Sequence, residues 1–296
     1  MKNHSISILT SFLGLWLTSF LQEENQIIVG IILILTFGIM HGANDIAIIN
    51  KINTDNKTLN SSKMIFNYVL TVIISAVLFF YIPLFTLILF ITASGYHFGE
   101  QHWSSIISNE TSKIKSAFQL TYGLFILLLL FYFNSTEVII IVESITSHKL
   151  NSNVIEYAFY VLLVLLALNW IYLYANDKIF KSNAIAELLY LIVLSILFKV
   201  SSLIWGFAIY FIVWHSVPSL VDQIKFLYGG FTMKKLLRYI KTALLYWIIS
   251  LVSLAIFYSL FHSTKLFEAL LFSFLAAVTF PHTIVILNMF KIKKAE

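Results

Sequence analysis

Apolar runs about as long as a bilayer is thick recur along the whole chain, separated by short polar breaks. A helix needs about 20 residues to cross roughly 30 Å of hydrocarbon. Ten stretches approach that length: 5–21, 27–49, 64–82, 83–103, 116–133, 154–174, 184–200, 203–226, 240–261 and 267–290. Two places blur the count. Segments three and four nearly touch at Pro83, and EVIIIVESI (137–145) reads as a short re-entrant or surface helix, so eight to ten spans fit the pattern. The first stretch has the look of a signal peptide, but QEENQ follows it where a small-residue cleavage site would stand, and it is read as a helix. Loops are short and low-complexity runs are absent. Residues 1–296 therefore read as a single integral membrane domain, an all-α polytopic transmembrane helical bundle of about ten spans.

Composition supports this reading. Of 296 residues, 59% are hydrophobic and 11% charged, against about 25% charged in soluble domains. Positive residues are retained on the cytoplasmic side of a membrane. With the amino terminus inside, 16 of the 19 Lys and Arg fall on the inner face, leaving Lys149, Lys199 and Lys265 outside. The expectation is an N-in, C-in protein of the cell inner (plasma) membrane. The net charge of +5 sits in the loops between spans, so it reflects topology and does not call for a nucleic-acid partner. The chain has no cysteine, which excludes a disulfide, a thiolate nucleophile, an iron–sulfur cluster and a thiolate-ligated haem.

Four histidines change the picture: His41 in FGIMHGANDI, His97 in ASGYHFGEQHW, His215 in IVWHSVPSL and His282 in TFPHTIVI. They stand 14, 14, 12 and 15 residues into segments two, four, eight and ten, which all run from outside to inside. At roughly 1.5 Å per helical residue they fall within about 5 Å of one depth. Hydrocarbon offers an imidazole no water, so four rings in one layer suggest a shared ligand. By contrast, His4, His148 and His262 fall at or near predicted helix ends or loops, and His102 lies near the inner surface.

Asp45, Glu100 and Asp222 follow His41, His97 and His215 at spacings that return to the same helix face. A ligating histidine commonly gives its second N–H to a carboxylate, so these acids are either partners of the histidines or charges at the cytoplasmic rim. Glu156, Glu187 and Glu268 lie near predicted segment ends and read as interfacial. Gly42, Gly95 and Gly99 would permit close helix approach, while Pro218 and Pro281 favour kinks beside His215 and His282. Tyr96, Trp103, Trp205, Phe207, Tyr210, Phe211 and Trp214 cluster around the same motifs and are candidates to line a tunnel for an elongated apolar molecule.

An all-imidazole set suits iron, and copper or zinc less specifically. Dense histidine boxes of the di-iron desaturase kind are absent, and one histidine per helix at one depth argues against two stacked haems. Oxidation of a lipid leads. A proton- or metal-coupled transporter using a His/acid relay, and a non-catalytic haem- or carotenoid-binding protein, are the alternatives.

The motifs resemble the Brp/Blh family of membrane β-carotene 15,15'-dioxygenases: HG followed by an acid in HGANDI, HFGE in SGYHFGEQHW, WHS with a nearby proline in VWHSVPSL, and PH in TFPHTIVI, in family order. HFGE after an aromatic is the more specific of these. The resemblance implies a carotenoid-cleaving dioxygenase that uses ferrous iron (Fe2+) and O2 to split β-carotene into two retinal molecules in the bilayer, with hand-off to a microbial rhodopsin. It also implies that His41, His97 and His215 are iron ligands. The family pattern has a further histidine where this chain has Ser219, which makes His282 the nearest candidate for a fourth ligand.

Overall fold

The computed structural model describes residues 5–55, 61–103, 107, 112–261 and 264–293, and among these all regular structure is helical. In chain order the elements are α1 (Ser5–Thr18), α2 (Glu23–Leu33), a π-helical segment (Ile34–Gly38), α3 (Ile39–Gly42), α4 (Asp45–Asp55), α5 (Ser61–Tyr81), α6 (Pro83–Trp103) and α7 (Ser112–Phe133). They continue with α8 (Ser135–Thr146), α9 (Ser152–Asn176), α10 (Lys178–Val200), α11 (Leu203–Ile209), a second π-helical segment (Tyr210–Ser216), α12 (Val217–Tyr228), α13 (Met233–Phe261) and α14 (Thr264–Lys293). Eight described helices are long and apolar enough to cross a membrane. The expected first span is the 14-residue α1, too short to cross hydrocarbon alone. EVIIIVESI forms the 12-residue α8. Exposed Ile73, Val164 and Leu245 leave apolar side chains on the outside, as a lipid-facing surface requires.

Local signals explain several boundaries. Pro83 opens α6, where its missing N–H costs nothing. Asp177 caps α10 by accepting from the N–H groups of Ile179 and Phe180, both at 2.9 Å. Ser202 caps α11 through the Trp205 N–H.

The chain divides into two compact units. The first comprises Met1–Ile34, Ile91–Ile140 and Lys149–His215. In it α7 packs on α9 and α10, α2 on α11, and α1 on α10. Helices α6 and α7 cross at glycine: a Cβ on Gly99 would overlap the Gln119 carbonyl, and one on Gly123 the Gly95 carbonyl. The expected close approach at Gly95 and Gly99 is therefore present, in the manner of small-residue contacts between membrane helices.

The second unit comprises Leu35–Phe90, Ile141–His148 and Ser216–Glu296. Here α14 packs on α5 and α4, and α3 on α13 and α12. Its core joins Ile48, Ile49 and Ile52 of α4 to Val285, Ile286, Met289 and Phe290 of α14. Helix α14 continues through Pro281.

Candidate metal centre

The layer histidines are all buried, between 1% and 5% exposed. Two belong to each unit, and within each unit they meet as a pair. In the second unit the His41 and His282 ring centroids lie 4.8 Å apart at 86°, and each offers a ring nitrogen within 4.8 Å of the other's. His282 Nδ1 is 2.8 Å from Asp45 Oδ1. His41 Nδ1 meets the Gly38 carbonyl one turn back. Both contacts are to oxygen acceptors, so each ring carries its N–H at Nδ1 and its lone pair at Nε2. This is how a metal-ligating imidazole is commonly oriented. Asp45, four residues after His41, therefore serves the histidine of another helix.

The turn bearing His41 is held from below. The Tyr239 hydroxyl lies 3.0 Å from the His41 carbonyl and 2.7 Å from Gln223 Oε1. Asn44 Nδ2 donates to the Tyr239 carbonyl at 2.9 Å. Gln223 Nε2 donates to Ser219 Oγ at 3.1 Å. Ser219 is fully buried, with its oxygen engaged in this chain of contacts. On Gly42 a Cβ would stand 3.6 Å from His282 Nδ1, which marks how closely this turn lies against the second ring.

In the first unit the His97 and His215 centroids are 4.7 Å apart at 75°. His215 sits in the second π-helical segment, and His41 follows the first by three residues. A π turn widens the ladder and re-aims side chains, and such turns are frequent at functional sites. It also leaves carbonyl oxygens to be met by side chains, as Trp247 Nε1 does for Leu35 at 2.9 Å. Phe207, Phe211 and His215 stack as a row one turn apart, at 5.2 Å and 9°, then 5.6 Å and 15°. Phe98 closes on His215 at 4.5 Å.

Glu100 and Asp222 are buried, as are Tyr210, Phe211 and Trp214, while Tyr96 is half-buried. Trp103 is fully buried among Phe118, Tyr122, Trp170 and Phe180, in the position of a packing residue. Trp205 is buried and donates to Thr18 Oγ1 at 2.9 Å.

Glu187 departs from its expected place. It is 2% exposed and 2.6 Å from His102 Nε2, and the His102 ring stacks on Tyr122. The interfacial reading fails because α10 starts at Lys178, six residues before the apolar run, leaving Glu187 more than two turns inside the helix. His102, in the last turn of α6, is buried as well. An acid within an apolar run was the available signal for this pair, as were Asn44, Gln223 and Tyr239 beside polar motifs for the network under His41. Glu156 and His148 are exposed as expected. His4, His262 and the side chain of Glu268 lie outside the described residues.

The model of the beta-carotene 15,15'-dioxygenase family matches residues 32–290, a stretch that contains all four layer histidines. The chain belongs to the beta-carotene 15,15'-dioxygenase family. Neither a curated protein nor a solved structure matches it. Membership in this dioxygenase family implies a carotenoid substrate and O2.

Proposed function

We propose that this protein is an iron-dependent dioxygenase of the cell inner membrane that cleaves β-carotene at its central double bond, forming two retinal molecules with O2. The observation that carries the reading is the orientation of His282 by Asp45 beside His41, inside the stretch the dioxygenase family matches. The donor chemistry fits a metal: buried imidazoles whose Nδ1–H groups are held by oxygen acceptors present Nε2 as ligand. An all-imidazole set suits iron, copper or zinc; use of O2 calls for a redox-active ion, and the reading takes iron.

His41, His97, His215 and His282 would hold the ion, with Ser219 outside the ligand set. Bound there, ferrous iron would supply the activation of dioxygen. The protein's own groups act by position and electrostatics. Asp45 and the Gly38 carbonyl fix the tautomer and angle of His282 and His41. Glu100 and Asp222 would do the same for His97 and His215. The row Phe207–Phe211–His215 starts at a half-buried ring and would end at a ligand, giving a conjugated polyene an aromatic flank to lie along. Tyr96 and Tyr210 would extend that face, with Trp214 and Trp103 behind it. Apolar walls exclude water, and substrate and product would exchange laterally with lipid, from which a microbial rhodopsin could take the retinal. The bundle would lie N-in and C-in, as its lysine distribution favours.

Expression in a carotene-producing bacterium tests the proposal. Loss of orange colour with retinal identified by chromatography is the expected outcome. Unchanged pigment, with no iron in the purified protein, would refute it.

A further inference from the structure

Helix α1 precedes the residues the family matches, yet it is wired into the segment that carries His215. Two contacts make the connection and a third ties α1 to the preceding α11, all within the first unit. Ser7 Oγ donates to the Val213 carbonyl at 3.4 Å. Trp214 Nε1 donates to Ser11 Oγ at 2.8 Å. Trp205 Nε1 donates to Thr18 Oγ1 at 2.9 Å. Ser7, Ser11 and Thr18 lie along one side of α1 at spacings of four and seven, the repeat of a helix face.

The need for such support follows from the backbone. In a π register the carbonyl of one residue takes its hydrogen bond from the residue five further on. For Val213 that residue is Pro218, which has no N–H. In the α register, Pro218 instead leaves Trp214 without its donor. In the π register the proline therefore leaves the Val213 carbonyl, two residues before His215, without its ladder donor. A buried carbonyl without a donor is costly, and Ser7 supplies one from outside the helix. Ser11 is held in turn: its hydroxyl donates to the Ser7 carbonyl at 2.8 Å, leaving its lone pairs to Trp214. The Trp214 ring is also bounded by Tyr190 at 5.2 Å and by the His102 ring.

We infer that Ser7 and Ser11 of α1, with Trp214, are positioning residues that set the aim of His215. This rests on His215 being a ligand, as proposed above. Ser7 holds the Val213 carbonyl and Ser11 the Trp214 ring, in a stretch where Pro218 removes a ladder donor. A small residue on α1 thereby sets the geometry of a ligand in the second π-helical segment without touching the metal.

The test uses the full chain purified in detergent, with cobalt(II) as the probe because its visible bands report ligand geometry. Ser11→Ala should move those bands and weaken cobalt binding about fivefold, the equivalent of one hydrogen bond. Trp214→Phe, which keeps a ring but removes the donor, should do the same. Their double variant should lose little more than either alone, as expected for one shared interaction. In the metal-free protein, Ser7→Ala should speed amide exchange across Tyr210–Ser216. If wild type takes up no cobalt, the metal reading fails, and the exchange experiment still judges whether α1 holds the segment. With wild type loaded, an unmoved spectrum in Ser11→Ala overturns the positioning role alone. Should Trp214→Phe fail to fold, the Ser11→Ala spectrum decides.

Discussion

Asp45→Asn isolates the contact on which the candidate centre turns. The carboxylate lies 2.8 Å from His282 Nδ1, and both residues are nearly inaccessible, at 1% and 4%. A hydrogen bond to a charged partner contributes about 1.5–3 kcal/mol, and an outer partner of a ligating histidine typically controls metal affinity by about 10- to 100-fold. At about 1.4 kcal/mol per decade, the two ranges coincide. Asp45 also opens α4, where an acid in the first turn contributes about 0.3–1 kcal/mol through the helix dipole. Asparagine keeps the shape and an acceptor oxygen while removing the charge, so the helix start suffers least. The expected result is a 10- to 100-fold rise in the iron or cobalt dissociation constant, measured by chelator competition on detergent-purified protein, with the unfolding midpoint lowered only slightly. A change under about threefold would mean that the carboxylate does not act through a metal-bound imidazole, and the orientation argument would fall.

His97→Ala and His215→Ala should each abolish iron retention and retinal formation, whereas His148→Ala, at an exposed loop position, should leave both intact; metal analysis and chromatography read the difference. Gly99→Ala sets a methyl against the Gln119 carbonyl and should lower thermal stability by several degrees or prevent assembly, read by a fluorescence melt. Glu187→Ala removes the acid that His102 Nε2 meets in the first unit and should cost about 3–5 kcal/mol, while replacing both partners by leucine should cost far less in denaturant titrations. Ser219→His should not raise iron occupancy, because the serine is fully buried and already accepts from Gln223; a gain in bound iron would show that the position is a ligand site after all.

The pattern of apolar runs was sufficient for an all-helical membrane protein, because backbone polar groups in hydrocarbon must be satisfied within the segment itself. The four buried histidines were legible for a related reason: an imidazole is rare within an apolar span, and each of the four is buried. The motifs around His41, His97, His215 and His282 carried the family as well, and residues 32–290 belong to it.

Rotation about the helix axes and the choice of neighbours are set by packing between distant segments, and sequence spacing does not encode them. Hence Asp45, four residues after His41, was expected on the same face, yet its hydrogen bond is to His282. Hence Glu187 was placed at a rim, although Asp177 starts α10 early and carries the acid into the interior. The kink expected at Pro218 takes the form of a preceding π-helical segment, whose carbonyl at Val213 is met by a serine 206 positions away. The sequence by itself determined the helices, their medium and the four rings. Only the tertiary structure decided which rings face each other within each unit and which oxygens orient His41 and His282, since hydrogen bonds a few ångströms long between remote residues exist only once the helices have packed.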